Sequence, residues 1–304
     1  MAEVKGGRNW RRILLDGFLI VSLCGMAVYL IVDAQNKTEK KTEEESEFRD
    51  SVTICSNGKE KTPVMDFPMT ALDEYVWRKD GAYGYEIVSN EYNQRTGLQT
   101  ITVNFTSQEW LKDVNWYGLS TGTKVWWHWL TIFVPLKEHK KYNPNLLDTG
   151  MLLIDGGDNT NMLEPPTDDD IFVRVTRMMA EQTGSVTAVL KNVPNARVKF
   201  EDDLTMDSRR EDDLIAYSWM RFINESGANP EMLVLMPMVK AAVLSFNATS
   251  DIVSKDNACG PALNRYQCRP GPIDRWVPTG GSKRGWTTWL TAAVDYHRVK
   301  GMSH

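Results

Sequence analysis

A serine in the last part of the sequence has the neighbours that a nucleophile needs. The apolar, β-type residues Trp276 and Val277 lead into a glycine pair, Gly280 and Gly281, and then into Ser282. A sharp strand-to-helix turn strains the backbone and brings segments close together, which glycine tolerates. A helix behind the serine would point N–H groups and a partial positive charge at an arriving oxyanion. The arrangement therefore predicts a serine nucleophile.

The residues after the serine fit this motif only in part. An apolar run with helical spacing follows, formed by Trp286, Trp289, Leu290, Ala293 and Val294. The usual motif has glycine two residues after the serine, but Arg284 stands there and Gly285 comes next. The amide of Lys283 is the expected oxyanion donor, and the Lys283 and Arg284 side chains are expected to be solvated, with steering of an anionic substrate as the alternative. The competing interpretation is a turn in which Ser282 caps the helix.

Four separated stretches resemble one protein family in the same order. They are VWWHWL at 125–130, EDDLIAY at 211–217, PMVKAAV at 237–243 and GGSKRGWTTWLTAAVD at 280–295. These four stretches resemble the PhoPQ-activated pathogenicity-related family, which includes the autocrine proliferation repressor proteins. The resemblance implies an α/β-hydrolase-like domain, with a mostly parallel sheet, flanking helices and a serine nucleophile, in a family whose substrates are poorly defined.

The second expected part of an oxyanion site is a glycine pair upstream of the serine. Residues 151–154 are wholly apolar, which predicts a parallel strand buried on both faces. Gly156 and Gly157 follow this strand. In α/β-hydrolases the loop at this place donates one N–H of the oxyanion hole. The alternative is a plain turn after a strand.

The sequence after Ser282 offers no well-placed acid and base to act with the serine. A triad needs a base and an acid, which in α/β-hydrolases follow the serine in the chain. Only Asp295, His297 and His304 follow, and the first two lie on or just beyond the helix that leads away from Ser282. We therefore interpret the domain as incomplete at its C-terminus, either a truncated product or a variant without the catalytic machinery, and expect it to be inactive. The alternative is a non-catalytic extracellular signalling protein.

Other titratable residues have structural interpretations. His128 lies between tryptophans in an apolar run and is expected to be a core residue rather than a base. The carboxylates Asp202, Asp203, Glu211, Asp212 and Asp213 lie before or at the start of a predicted helix, whose dipole favours them. Because no Cys/His spacing resembles a zinc site, we expect neither a metal nor a cofactor.

Periodicity predicts the remaining elements. Strands are expected at 83–88, 100–105, 126–134, 185–190 and 275–279, and helices at 168–182, 209–222 and 231–246. The strands at 83–88 and 100–105 are expected to pair, joined through 93–97. Alternation of strands and helices from residue 150 onward predicts a parallel sheet with right-handed crossovers.

The composition is that of an ordinary globular protein. The 304 residues carry a net charge of −5 and no basic stripe with interleaved aromatics, which argues against a nucleic-acid partner. Most of the eleven tryptophans are expected in the core. If the chain is exported, a local disulfide between Cys259 and Cys268 is plausible, with Cys55 unpaired or an alternative pairing.

The N-terminal region predicts export. Residues 1–12 are polar and basic and are expected to form a cytoplasmic tail, and 13–32 are apolar over a membrane-spanning length. The alternatives are a signal-anchor and a cleaved signal peptide, and the length of the run favours the anchor. Residues 33–61 are expected to form a charged luminal linker, and 62–304 the partial α/β-hydrolase-like domain.

Four glycosylation sequons lie after the apolar segment, at Asn36, Asn104, Asn224 and Asn247. They fit a luminal or extracellular domain, so the chain is expected to be a single-pass membrane protein or a secreted one. The membrane through 13–32 and an unknown extracellular substrate or receptor are the expected partners.

Overall fold

The computed structural model describes residues 68–160, 164–205, 208–254 and 272–303. The helices are α1 (Ala71–Trp77), α2 (Ile171–Thr183), α3 (Glu211–Asn224), α4 (Leu235–Ser254) and α5 (Lys283–Val294). The strands are β1 (Gly84–Asn93), β2 (Leu98–Glu109), β3 (Trp116–Gly118), β4 (Val125–Pro135), β5 (Thr149–Ile154), β6 (Val186–Leu190), β7 (Val198–Phe200) and β8 (Arg275–Thr279). Short 3-10 turns lie at Pro144–Leu146 and Pro230–Met232. Every strand and helix predicted within these residues is confirmed; the strand at 275–279 has the predicted bounds and the others have shifted ends.

A six-stranded sheet in the order β1-β2-β4-β6-β5-β8 organises the domain, and β3 and β7 form a separate antiparallel pair. β6, β5 and β8 pair in parallel, whereas β1, β2, β4 and β6 pair antiparallel in that order. The prediction of a mostly parallel sheet is therefore wrong for the half of the sheet built from β1, β2 and β4. Helical crossovers separate strands only after β5, and strands without a crossover reverse direction.

The sheet is covered on both faces, which makes the fold a mixed α/β fold. β5 alternates its side chains between the two faces. Met151 and Leu153 pack with residues of α2, whereas Leu152 and Ile154 belong to the larger cluster that contains α4. The prediction that β5 is buried on both faces is confirmed. The loop after β5 and the turn after β8 leave the same edge of the sheet, at the carboxyl ends of the parallel strands, where ligand sites of such sheets lie.

Helix α5 packs through a different face than the tryptophans indicate. Its buried residues are Gly285, Thr287, Thr288, Thr291 and Val294. Trp286 is 55% exposed and Trp289 is 52% exposed, so these two are not among the tryptophans of the core. The threonine face is possible because the hydroxyls of Thr287 and Thr288 donate to the carbonyls of Lys283 and Arg284 at 3.2 and 2.9 Å, which leaves the methyl groups for packing.

A buried lysine joins α4 to the end of α1. Lys240 is 1% exposed, and its Nζ donates to the carbonyl oxygen of Arg78 at 2.7 Å and to that of Tyr75 at 3.3 Å. The carboxylate of Asp80 lies 3.9 Å from the same nitrogen. Because the last carbonyls of a helix lack partners within the helix, Lys240 satisfies the C-terminal end of α1.

After α5 the chain returns beside β8. Val299 and Ser303 form isolated parallel bridges with Trp276 and Thr279. Within the ranges given above, no helix has the length and apolarity needed to cross a membrane. The predicted anchor at 13–32, the linker at 33–61, Asn36, Cys55, Cys259, Cys268 and His304 lie outside the described residues.

Candidate active site

Ser282 lies at a strained turn between β8 and α5. Its backbone angles are φ 56° and ψ −122°, outside the regions that an L-residue ordinarily occupies. The residue is exposed, and its side chain makes no capping hydrogen bond to α5. The alternative role of Ser282 as a helix cap therefore lacks its defining interaction. Strain of this kind is concentrated at functional sites and is maintained by the surrounding structure.

One glycine of the pair before the serine is required by close packing. A Cβ atom at Gly280 would lie 2.8 Å from Cβ of Arg284 and 2.9 Å from its carbonyl oxygen. At Gly281 the same atom would meet open space. The turn is thus tight where β8 ends, and the second glycine is free of this constraint.

The loop after β5 touches the serine turn through one side chain. A Cβ atom at Gly156 would lie 2.2 Å from Nη2 of Arg284. The carbonyl oxygen of Gly156 accepts a hydrogen bond from the amide of Asn192 at 3.1 Å, and Gly157 follows half-buried. The predicted oxyanion loop and the predicted nucleophile turn are therefore neighbours. The amide of Lys283 is the first N–H of α5, and such groups lack partners within a helix.

Arg284 is the centre of the contacts between these segments. Its Nε donates to the carbonyl oxygen of Val193 at 2.6 Å, and its Nη1 donates to Oε2 of Glu211 at 2.8 Å. Nη2 of Arg284 bonds to the other carboxylate oxygen of Glu211, which makes the pair bidentate. The arginine side chain is only 12% exposed.

Lys283 joins the same acidic residue. Its Nζ lies 2.9 Å from Oε2 of Glu211 and 3.0 Å from Oδ1 of Asp212, and its side chain is 13% exposed. The prediction that Lys283 and Arg284 are solvated is therefore wrong, because both are held by the start of α3. For the same reason neither is a free cation that would steer an anionic substrate.

Glu211 is ionised within this cluster. Burial acts to raise the pKa of Glu211, but the hydrogen bonds and charges of Arg284 and Lys283 outweigh it and leave the pKa lowered. For Lys283, burial acts to lower the pKa, and the contacts with Glu211 and Asp212 leave it raised. Glu211 also has a positive φ of 50°. Helix-dipole reasoning accounted for an acid at this position but missed its contacts. The signal in the sequence was the arginine standing where the motif has glycine.

A second ion cluster holds both ends of the loop after β5. Lys191, which is 4% exposed, pairs with Asp155 and places its Nζ 2.7 Å from Oδ2 of Asp170, the N-cap of α2. Burial acts to raise the pKa of Asp170, and the contacts with Lys191 and the α2 amides leave it lowered. Because Asp155 precedes Gly156 and Asp170 starts α2, Lys191 fixes where the loop begins and ends.

The middle of this loop is attached to the chain after β6. Nε of Arg197 lies 2.8 Å from Oδ2 of Asp158. The buried Asn159 donates its backbone N–H to the carbonyl of Ala196 at 2.6 Å and its side-chain amide to Asn195 at 2.8 Å. The loop after β5 and the segment 191–197 therefore form one connected unit at this edge of the sheet.

The histidine in β4 is a core residue. Nε2 of His128 lies 2.9 Å from Oγ of Ser107, and Nδ1 lies 3.1 Å from the carbonyl oxygen of Lys191. Complete burial lowers the pKa of His128 to about 4, against the smaller raising effect of backbone hydrogen bonds. The imidazole is therefore neutral near pH 7. Both nitrogens have partners other than Ser282, as expected for a core histidine.

The residues after the serine lie away from it. Asp295 is the C-cap of α5, 2% exposed and bound to Arg298. Since α5 has 12 residues, it separates Asp295 from Ser282 by about 18 Å. His297 lies beyond the helix beside the ring of Tyr296, with ring centroids 3.9 Å apart. Among the residues that the structure describes, no histidine or carboxylate hydrogen-bonds to Ser282.

Asp202 and Asp203, before the start of α3, form ion pairs with arginines. Asp203 pairs with Arg209 at 2.5 Å, and Asp202 pairs with Arg221 at 2.5 Å. No group of three metal-ligating side chains occurs in the described parts of the chain.

The described sequons differ in accessibility. Asn224 is exposed at the end of α3. Asn104 lies half-buried within β2, between β1 and β4. Asn247 lies inside α4, and its Oδ1 accepts a hydrogen bond from Nη1 of Arg298 at 2.6 Å. Because Asn104 and Asn247 are half-buried inside regular elements and Asn224 is exposed at a helix end, of the three only Asn224 has the setting that a glycan needs.

The fold and site define a mixed α/β protein with an exposed serine at a strained strand-to-helix turn. Residues 72–303 match the family model described as PhoPQ-activated pathogenicity-related protein, and the chain belongs to that family.

The chain is also similar to autocrine proliferation repressor protein A of Dictyostelium discoideum. The two are 30% identical over 227 residues, which is 74% of this chain and 39% of that protein. The chain thus spans 39% of the length of this relative.

Two hydrolases of known structure resemble parts of the chain. A CE15 glucuronoyl esterase from Teredinibacter turnerae has a TM-score of 0.36 and 11% identity, with 72% of this chain and 44% of that chain covered. An S-formylglutathione hydrolase from Agrobacterium tumefaciens has a TM-score of 0.31 and 13% identity, with 72% and 61% covered.

Proposed function

We propose that this chain carries the nucleophile and the oxyanion site of a serine hydrolase of ester or amide bonds, on an α/β-hydrolase-like fold. The observation that carries the proposal is the conformation of Ser282, an exposed serine with φ 56° and ψ −122° directly before a 12-residue helix. The three parallel strands with helices on both faces of the sheet support the choice of fold.

The proposed chemistry is attack by Oγ of Ser282 on an acyl carbon. The negative charge that develops on the carbonyl oxygen would be stabilised by the amide of Lys283 and by the Gly156–Gly157 loop. The start of α5 adds the positive end of its dipole at the same place. The side chain of Lys283 takes no part, because Glu211 and Asp212 neutralise it.

Turnover by this chain alone is not expected. The described residues place no base or acid on Ser282, and the remote Asp295 is bound to Arg298. In a serine hydrolase without its triad, the oxyanion hole and binding still give roughly 10³–10⁴-fold catalysis over water. We therefore expect Ser282 to react slowly and stoichiometrically with an activated electrophile, and faster when a base is added.

Fluorophosphonate labelling of the full 304-residue chain tests this proposal. The chain is purified in mild detergent, because 13–32 is apolar, and labelling is followed by intact mass with and without added imidazole. We expect slow labelling that imidazole accelerates and that Ser282→Ala abolishes. Ser303→Ala is a matched control, since that serine is 2% exposed and lies beside β8 rather than at the turn. A folded sample that remains unlabelled in imidazole, or labelling that persists in Ser282→Ala, contradicts the proposal.

A non-catalytic extracellular signalling role is the alternative. The 30% identity to a protein named for repression of proliferation favours it. The purified chain and its Ser282→Ala variant would be added to proliferating cells and doubling times measured. Equal repression by both proteins supports signalling without catalysis, whereas repression lost in Ser282→Ala supports the hydrolase.

We also propose that the domain is luminal or extracellular, either anchored through 13–32 or secreted after cleavage. The apolar segment and the exposed sequon at Asn224 support this location. Removal of N-glycans from the expressed chain should lower its apparent mass, and N-terminal sequencing of the mature protein separates the anchor from the cleaved signal.

A further inference from the structure

The side chain of Arg284 connects three segments that end at one edge of the sheet. It lies on Gly156 after β5, donates to the carbonyl of Val193 after β6, and pairs with Glu211 at the start of α3. Its own backbone is the second residue of α5, two positions after Ser282. A motif glycine at this position would make none of these side-chain contacts.

We propose that Arg284 is a positioning residue that sets the place of the Ser282 turn relative to the oxyanion loop. The proposal rests on the proposed hydrolase function and adds to it a structural requirement of the same site. Arg284 does not touch the reacting atoms. It acts through the backbone of Ser282 and through the Gly156 loop.

Backbone strain is concentrated around this side chain. Ser282, Glu211 and Asn192 are non-glycine residues with positive φ values of 56°, 50° and 62°. Ser282 is two residues before Arg284, Glu211 is its ion partner, and Asn192 precedes Val193 and hydrogen-bonds to Gly156. Strained residues persist only where the surroundings over-determine them. The bidentate pair and the hydrogen bond to Val193 supply such surroundings.

The loop that Arg284 contacts is itself fixed. Lys191 holds its two ends through Asp155 and Asp170, and Arg197 holds Asp158. These contacts attach the described parts of the loop to the segment 191–197, and Arg284 joins the serine turn to the same segment through Val193. Without Arg284, the backbone pairing of β5 with β8 would still align the strands, but the side-chain link between the two loops would be lost.

This link has a kinetic consequence. A misplacement of about 1 Å between reacting groups costs roughly 10²-fold in rate, because the reacting atoms must meet in a near-attack geometry. In the labelling reaction the Oγ–P bond forms, the P–F bond breaks with loss of fluoride, and the hydroxyl proton passes to imidazole. Loss of Arg284 should therefore slow this step and leave the initial binding of the probe unchanged.

The first experiment measures the maximal labelling rate and the half-saturating probe concentration of the full chain in imidazole. We expect Arg284→Met to lower the maximal rate roughly 10²-fold with little change in half-saturation. Arg284→Lys, which keeps the charge but not the bidentate geometry, should restore part of the rate. Arg298→Met is the matched control, because Arg298 forms a similarly buried pair with Asp295 at the other end of α5.

The proposal is overturned if Arg284→Met labels at the wild-type maximal rate, or if Arg298→Met slows labelling equally, which would indicate general destabilisation. Amide hydrogen exchange gives a readout that does not need a reactive serine. Arg284→Met should raise exchange in peptides covering 151–160 and 279–286, whereas Arg298→Met should not. If the wild-type chain is unlabelled, the hydrolase function fails. The positioning role is then decided by exchange alone, and unchanged protection in Arg284→Met refutes it.

Discussion

The contact between Gly156 and Arg284 allows a stability prediction from a single added methyl group. In Gly156→Ala the new Cβ atom would lie 2.2 Å from Nη2 and 2.7 Å from Cζ of Arg284. Since carbon contacts settle at about 3.5–4.0 Å, the guanidinium must move by more than about 1 Å. Such a shift is incompatible with its 2.6 Å bond to the carbonyl of Val193 and its 2.8 Å bond to Glu211.

The magnitude follows from the burial of the pair. Exposed ion pairs contribute about 0–1 kcal/mol, and breaking a buried pair costs about 3–5 kcal/mol. The side chains of Arg284 and Glu211 are 12% and 31% exposed, which places this pair between the two cases. We expect Gly156→Ala to lower the unfolding free energy by about 2 kcal/mol. For a domain of this size that corresponds to a decrease of roughly 4–8 °C in the melting temperature.

Thermal and urea unfolding, followed by circular dichroism, check this prediction. Gly281→Ala is the matched control, because a Cβ atom there meets open space and its φ is not in the left-handed region. The double variant Gly156→Ala/Arg284→Met tests the cause. If the methyl group acts through the arginine, it should cost little once the arginine is absent. Unchanged stability in Gly156→Ala, or full additivity in the double variant, would refute the reasoning.

Three further predictions concern other parts of the chain. The pKa of His128 is about 4 when folded and 6.5 in the unfolded reference, so below pH 6.5 protons bind preferentially to the unfolded chain. Unfolding free energy should therefore fall by up to about 3 kcal/mol as the pH decreases from 6.5 to 4, a contribution that His128→Gln removes. Lys240→Met leaves the carbonyls at the end of α1 without their donor and should lower the unfolding free energy by about 2 kcal/mol. If the domain is exported as proposed, Asn224→Gln should remove a glycan and lower the apparent mass of the chain, whereas Asn247→Gln should not.

Each of these has a measurable contrary outcome. A pH profile of unfolding that is identical in His128→Gln and the wild type contradicts the burial argument. An unchanged urea midpoint in Lys240→Met means that water satisfies the carbonyls at the end of α1. A glycan mapped to Asn247 by mass spectrometry would contradict the argument that a half-buried position inside α4 is closed to modification.

Elements with a clear period could be predicted from the sequence. The strand at 275–279 was predicted with its observed bounds, and β5 was recognised from four consecutive apolar residues. The pairing of 83–88 with 100–105 was predicted and is confirmed. The mostly parallel sheet was not predicted correctly, because the family-level expectation did not allow for three antiparallel strands without helical crossovers.

The face of α5 could not be read from its apolar residues. Tryptophan is usually buried, but the buried residues of α5, which contacts α4, are Gly285, three threonines and Val294. A small-residue face permits close helix contact and leaves Trp286 and Trp289 outside. Hydrophobic periodicity alone predicts that the tryptophan face of such a helix is buried rather than the face of small residues.

The turn at Ser282 was predicted from the sequence, but the contacts of Arg284 that hold this turn were not. The types and spacing of Gly280, Ser282 and Lys283 are local information, and the structure places them at a strand-to-helix turn. The partner of Arg284 is 73 positions away in the sequence, in a helix whose acidic start already had an explanation. A contact between distant segments produces no periodic pattern in the sequence. The pairing of Arg284 with Glu211 could therefore be recognised only in the structure.

The close approach at Gly156 also has an evolutionary consequence. A substitution that adds a side chain at position 156 collides with Arg284, and a substitution that removes Arg284 leaves Glu211 beside a vacant space. Single mutational steps away from this arrangement are therefore costly in either direction, and relatives should change the three positions together. Homologues with a small residue in place of Arg284 should tolerate alanine or serine in place of Gly156 and lack an acid in place of Glu211. An alignment of many relatives should show these three positions as a covarying set.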